Sequence, residues 1–137
     1  MGLILDSSLL IAGERRGQRI WDILERVRAA QGETKSALSA ITVVELTHGI
    51  YRARSEDDAK RRRAFVEELC WAVPVQPVTL EIARLAGRIE GEQAAKGIVI
   101  ALPDLLIGVT ALQAGYSVAT LNLRHFQLIP GLSVVHL

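Results

Sequence analysis

Asp6, Glu45, Asp104 and Asn122 each stand beside the end of a strand or the start of a helix in this 137-residue chain. Asp6 directly follows the apolar run GLIL, and Glu45 lies in TVVEL after the apolar stretch ALSAI. Asp104 follows Pro103 at the opening of an apolar helical run, and Asn122 follows YSVAT within TLNLRHF. In open parallel sheets ligands bind beyond the carboxyl ends of the strands, so four such residues, dozens of positions apart, can converge on one sheet edge. Carboxylates brought together repel, and near neutral pH they must bind protons or a cation. An all-oxygen set suits Mg²⁺ or Mn²⁺, which keep several waters and accept phosphate as a shared ligand. The chemistry implied is metal-assisted phosphodiester hydrolysis, in which the ion activates water and neutralises charge on phosphorus.

Each acid also has a purely structural reading. Asp6 can cap the helix that starts near Ser8, and Asp104 in a first turn is favourable against the helix dipole. The segment TVVELTHG at 42–49 carries two further possibilities. Thr42 and Glu45 have capping-box spacing, and Glu45 and His48 have the Glu-x-x-His spacing of a di-metal helical bundle. The bundle needs a second Glu-x-x-His, which the sequence lacks, so His48 is expected to be a bystander. Thr42 is expected to start the helix, with Glu45 in its first turn and turned toward the metal.

The elements that would position these residues follow from periodicity and punctuation. GLIL at 2–5 is the first strand, followed by a helical turn ending at Gly13. A helix over 18–30 places Ile20, Trp21, Ile23, Leu24, Val27 and Ala30 on one apolar face, with Gly32 as its stop. ALSAI at 37–41 is the second strand, and Val43 begins a helix reaching about Ala53. Ser55 starts another, with acids in its first turn and Phe65, Val66, Leu69 and Cys70 turned inward. VPVQPV at 73–78 is at best a short edge strand. Thr79 caps a helix that fades near Gly97, and Pro103 begins one that Gly115 stops. YSVAT and LSVVHL are the last two strands. This alternation predicts an α/β fold with a mainly parallel sheet covered on both faces.

Composition agrees with one domain over 1–137, because half the residues are hydrophobic yet only 4% are aromatic, a balance suited to strands buried under helices. The net charge is +1, from 16 Lys and Arg against 15 Asp and Glu, so a nucleic-acid partner must be met by a local patch rather than a general basic field. The lone Cys70 excludes an intrachain disulfide and fits a reducing compartment, so a cytoplasmic location is expected. The longest apolar stretch, 97–115, is interrupted by Pro103 and Asp104 and is expected to be part of a soluble fold rather than a membrane span.

LILDSS, TVVEL, PDLLI and TLNLRHF followed by IPGLSV resemble, in order and spacing, the PIN-domain nucleases of the VapC toxin type over essentially the whole chain. The resemblance implies a three-layer α/β/α domain and an endoribonuclease using Mg²⁺ or Mn²⁺. It further implies a small antitoxin partner, homodimers, and products with a 5′-phosphate and a 3′-hydroxyl. Carried over by position, Asp6, Glu45 and Asp104 match the metal-binding acids, and Asn122 occupies the fourth position of the site. There it supplies a neutral carbonyl oxygen in place of a charge, leaving one-metal and two-metal mechanisms open. A catalytically weak cation- or RNA-binding module and a housekeeping RNA-processing nuclease are the alternative functions.

For RNA contact the expected residues are Arg52 and Arg54, one helix with Glu45 and about two turns beyond it. Thr120, Arg124 and His125 of the TLNLRHF element join them, with Thr120 orienting a ligand or water and His125 touching phosphate or lying at the rim. The run Lys60-Arg61-Arg62-Arg63 is expected instead to be a solvated helix face, paired at i,i+4 with Glu56, Asp57 and Asp58.

Overall fold

The computed structural model describes residues Met1–Leu137. The chain runs β1 (Gly2–Leu5), α1 (Ser7–Arg15), α2 (Ile20–Gln31), β2 (Lys35–Ser39), α3 (Ala40–Tyr51) and α4 (Glu56–Ala72). It continues with β3 (Val75–Gln76), α5 (Leu80–Ala94), α6 (Leu102–Ala114), β4 (Ser117–Thr120), α7 (Leu123–Gln127) and β5 (Val134–His136). The five strands form one sheet in the order β3-β2-β1-β4-β5, and every neighbouring pair is parallel.

Both faces of the sheet are covered, because successive strand residues point to opposite sides. Leu3 and Leu5 belong to a core of 15 buried residues with α1, α2, α3 and α4, while Ile4 belongs to one of 13 with α5, α6 and α7. The near-equal division makes a three-layer α/β/α fold, the arrangement expected of an all-parallel sheet.

Several local signals hold. Gly32 and Gly115 end α2 and α6 at φ 75° and 71°, values at which a side chain is disfavoured. Ser55 and Thr79 cap α4 and α5 by accepting amide hydrogen bonds from Asp58 and Ile82. Other expectations require correction. Helix α1 continues past Gly13, whose Cβ, if present, would lie 2.5 Å from the Ile23 side chain; this glycine allows α1 and α2 to pack closely rather than stopping a helix. Strand β2 lies two residues earlier than expected at each end, and α3 begins at Ala40 with Ser39 as its cap, accepting from Ile41 N at 3.2 Å. Thr42 is therefore inside the helix, fully buried, with its hydroxyl unpaired. Trp21 is 55% exposed and Cys70 is exposed rather than packed. The five-residue α7 was too short to show periodicity. No helix is long and apolar enough to cross a membrane.

Candidate active site

Sheet order places the site. From β1 the chain crosses to β2 on one side, while β4 flanks β1 on the other, so β1 and β4 bound the switch point at whose carboxyl edge a crevice forms. Leu5 is in register with Ala119, and the Asp6 amide continues the ladder to Ala119 O at 2.9 Å. That register brings Asp6 beside Thr120. On the other side Gly2 pairs with Lys35 and Ile4 with Ala37, which directs the end of β2 and the start of α3 toward the same edge.

At that edge the Asp6 carboxylate is buried, 2% exposed, and accepts hydrogen bonds from Ser8 Oγ at 2.7 Å and Thr120 Oγ1 at 2.8 Å. Ser7 Oγ donates to Glu45 Oε1 at 3.0 Å. Asp104, in the first turn of α6, faces His125 Nδ1 across 3.2 Å. Burial first, then the neighbouring charges of Asp6 and Asp104, raise the Glu45 pKa above the usual carboxylate range; the Ser7 hydrogen bond opposes them. Asp104 is raised by burial and then by Asp6, with His125 opposing. The three acids thus share one electrostatic environment. None of them is ion-paired to Arg or Lys; the basic partner nearest to any of them is His125. No three His, Cys, Asp or Glu side chains are drawn tightly enough to cage an ion unaided.

Glu45 reaches this edge from the sixth position of α3, not from its first turn. The capping-box reading fails because Ser39 already caps the helix, and Glu45 bonds to Ser7 instead of turning back to Thr42. Asn122 is exposed at the N-cap of α7, where its side chain accepts no capping bond and its backbone amide donates to Thr120 Oγ1 at 2.9 Å. The fourth position therefore touches the cluster through its backbone.

The basic residues divide differently from expectation. Arg52 and Arg54 are exposed beyond the far end of α3, with Arg52 roughly 10 Å along the helix axis from Glu45. Arg61 pairs with Asp58 at 2.9 Å and Glu14 at 3.6 Å, and Arg62 donates to Gly49 O at 2.6 Å, so the expected i,i+4 pairs do not form. Arg62 and Arg15 instead line an 80 Å³ cavity beside Glu45, together with Glu14, Leu46 and Phe65. Neither arginine was singled out by spacing, because their proximity to Glu45 arises from the packing of α1, α3 and α4. Arg124, His125 and His136 line an open groove with Asn122 on the other side of the site.

A PIN-domain family model matches residues 3–131. Ribonuclease VapC1 of Rickettsia felis is 32% identical over 135 residues, covering 98% of this chain and 96% of that protein. The tRNA(fMet)-specific endonuclease VapC of Salmonella typhimurium is 30% identical over 109 residues, 80% of each chain. The structure of VapBC-1 from nontypeable Haemophilus influenzae superposes with a TM-score of 0.81 at 26% identity, covering 99% of this chain and 98% of that one. The chain belongs to the PIN-domain family and, within it, to the VapC ribonucleases.

Proposed function

We propose that this protein is a divalent-cation-dependent endoribonuclease acting as the toxin of a toxin–antitoxin pair. The observation that carries this reading is the meeting of Asp6, Glu45 and Asp104 at the sheet switch point with no arginine or lysine ion-paired to them. Relatives named as ribonucleases and a solved VapBC relative support the RNA-cleaving and toxin–antitoxin parts.

The donor set fits Mg²⁺ or Mn²⁺, because every ligand is oxygen and an ion that retains its waters needs only one or two carboxylates plus substrate phosphate. Asp6, Glu45 and Asp104 would hold it, and Asn122 would complete the site directly or through water. When bound, such an ion lowers the pKa of a coordinated water and offsets charge on the phosphate. The chain's own residues bind and orient. Ser7, Ser8 and Thr120 hold the carboxylates in place, while Arg124 and His125 on one side and Arg15 and Arg62 on the other supply cationic contacts for flanking phosphates. Arg52 and Arg54 would reach only RNA extending past the end of α3. The partner set comprises an RNA substrate, a cognate antitoxin protein and a second copy of the chain in a homodimer, with 1–137 acting as one domain in the cytoplasm.

Purified protein should cleave structured RNA with Mn²⁺ present, and lose that activity in Asp6→Asn or on adding EDTA. Cleavage persisting in Asp6→Asn under EDTA would overturn the assignment.

A further inference from the structure

Ser8, two residues after Asp6, has a role that ligand identity alone does not explain. Ser8 Oγ and Thr120 Oγ1 both donate to Asp6 Oδ2, at 2.7 and 2.8 Å. A hydroxyl has one proton, so their mutual approach of 3.2 Å is proximity rather than a third bond. Each hydroxyl in turn accepts a backbone amide from the turn after β4: Leu121 N reaches Ser8 at 3.2 Å and Asn122 N reaches Thr120 at 2.9 Å. Two chains of amide, hydroxyl and carboxylate therefore end on one oxygen of Asp6, each bond polarising the next.

The other acids repeat the pattern. Glu45 is tied through Oε1 to Ser7, and Asp104 through Oδ2 to His125. On all three carboxylates one oxygen is engaged, and the second (Asp6 Oδ1, Glu45 Oε2 and Asp104 Oδ1) accepts no hydrogen bond from the protein.

We infer that Ser8 is a positioning residue that, with Thr120, holds Asp6 to one-oxygen coordination, and so favours a small octahedral cation over Ca²⁺. This rests on the metal-dependent reading above. Ca²⁺ takes 6–8 oxygens in flexible geometry and commonly engages both oxygens of a carboxylate, whereas Mg²⁺ and Mn²⁺ are satisfied by single oxygens in octahedral array. Ser8 and Thr120 fill both lone pairs of Asp6 Oδ2, so two-oxygen binding at Asp6 would have to displace one of the two hydroxyls, whereas Glu45 Oε1 accepts Ser7 alone and keeps a lone pair free. Ser8, with Thr120, thus withdraws the Asp6 oxygen that the larger ion would use.

The test is metal binding to the full chain without RNA. Mn²⁺ is titrated by electron paramagnetic resonance, Ca²⁺ serves as competitor, and circular dichroism melts confirm folding. Ser8→Ala should weaken Mn²⁺ binding about tenfold, the lower end of the effect of removing groups that orient metal ligands. Ca²⁺ should weaken less, narrowing the Mn²⁺/Ca²⁺ preference, and Ser8→Thr, which keeps the hydroxyl, should restore both values. A folded Ser8→Ala variant with wild-type Mn²⁺ affinity and an unchanged Mn²⁺/Ca²⁺ ratio overturns the inference alone. Wild-type protein that prefers Ca²⁺ also overturns it. Wild-type protein that binds neither ion overturns the metal-dependent reading as well. If Ser8→Ala unfolds, Thr120→Val, which removes the other hydroxyl from the same Asp6 oxygen, decides the matter: unchanged Mn²⁺ affinity and Mn²⁺/Ca²⁺ ratio overturn the inference.

Discussion

Acids at the sheet edge and acids on the helix surfaces are treated in opposite ways by the same chain. On the surface Glu68 receives Arg19, Glu33 and Glu25 share Arg28, Asp58 takes Arg61 and Glu92 takes Arg88. The hydrogen bond and charge of Arg19 pull the Glu68 pKa down. At the edge, burial and like charges push Glu45 and Asp104 up, and their partners are one serine hydroxyl and one histidine. With 16 Lys and Arg in the chain, cations are not scarce, yet none of them forms an ion pair with the three acids. Surface pairs of this kind contribute little to stability and are individually dispensable. The unneutralised edge costs stability and is the place where a perturbed carboxylate points to function.

The strongest break of this contrast is removal of a site charge. Asp104→Asn should lower RNA cleavage by at least about 10²-fold, since metal stabilisation of transition-state charge amounts to several kcal/mol and each 1.36 kcal/mol is tenfold. Single-turnover cleavage with Mn²⁺ measures it, and a loss under threefold would contradict the placement of Asp104 in the site.

Glu45→Gln should reduce cleavage on a similar scale while raising the Tm of the metal-free protein, because it deletes a half-buried charge repelled by Asp6 and Asp104. Calorimetry in EDTA tests the second half; a fall in Tm would mean that the Ser7–Glu45 bond outweighs the repulsion.

pH gives a smaller, graded effect with a determined sign. Glu45 and Asp104 have folded pKa values raised above 4.5 and 3.8, so between those ordinary values and the raised ones the folded state binds more protons than the unfolded state. Metal-free stability should therefore rise as pH falls through that window, and this gain should disappear as pH rises through the folded pKa values. Mn²⁺ affinity should move the other way, weakening by up to about tenfold per pH unit for each carboxylate that must lose a proton. Affinity independent of pH across that window would exclude these two acids as ligands.

At the small end, Arg19→Ala removes the Glu68 partner from an exposed pair. It should leave cleavage and Mn²⁺ affinity unchanged and shift Tm least among these variants. A marked loss of activity would show that surface and edge are coupled.

Much of the fold was legible because it depends on local chemistry. The apolar strand GLIL, the helix starts at Ser55 and Thr79, and the stops at Gly32 and Gly115 each carry a signal readable within a few residues. The start of α3 was misplaced because Ser39 and Thr42 are both competent caps, and the choice was made by burial of Thr42 in the interior. Cys70 and Trp21 look apolar in sequence, but both lie exposed on α4 and α2. The basic run of α4 was read against its own helix, whereas Arg62 bonds to α3 and Arg61 reaches Glu14 of α1.

Residue types and their order along the chain determined which groups exist for chemistry: three acids and Asn122, each beside the end of a strand or the start of a helix. Local propensity also determined that strands and helices would alternate into a covered parallel sheet. Only tertiary structure decided what each group does. The β1–β4 register sets Asp6 beside Thr120, the packing of α1 on α3 brings Ser7 to Glu45, and the turn after β4 contributes backbone amides where side chains were expected. A hydrogen bond depends on distances of tenths of an ångström between segments separated by as many as 114 positions, and spacing along the chain carries no such information.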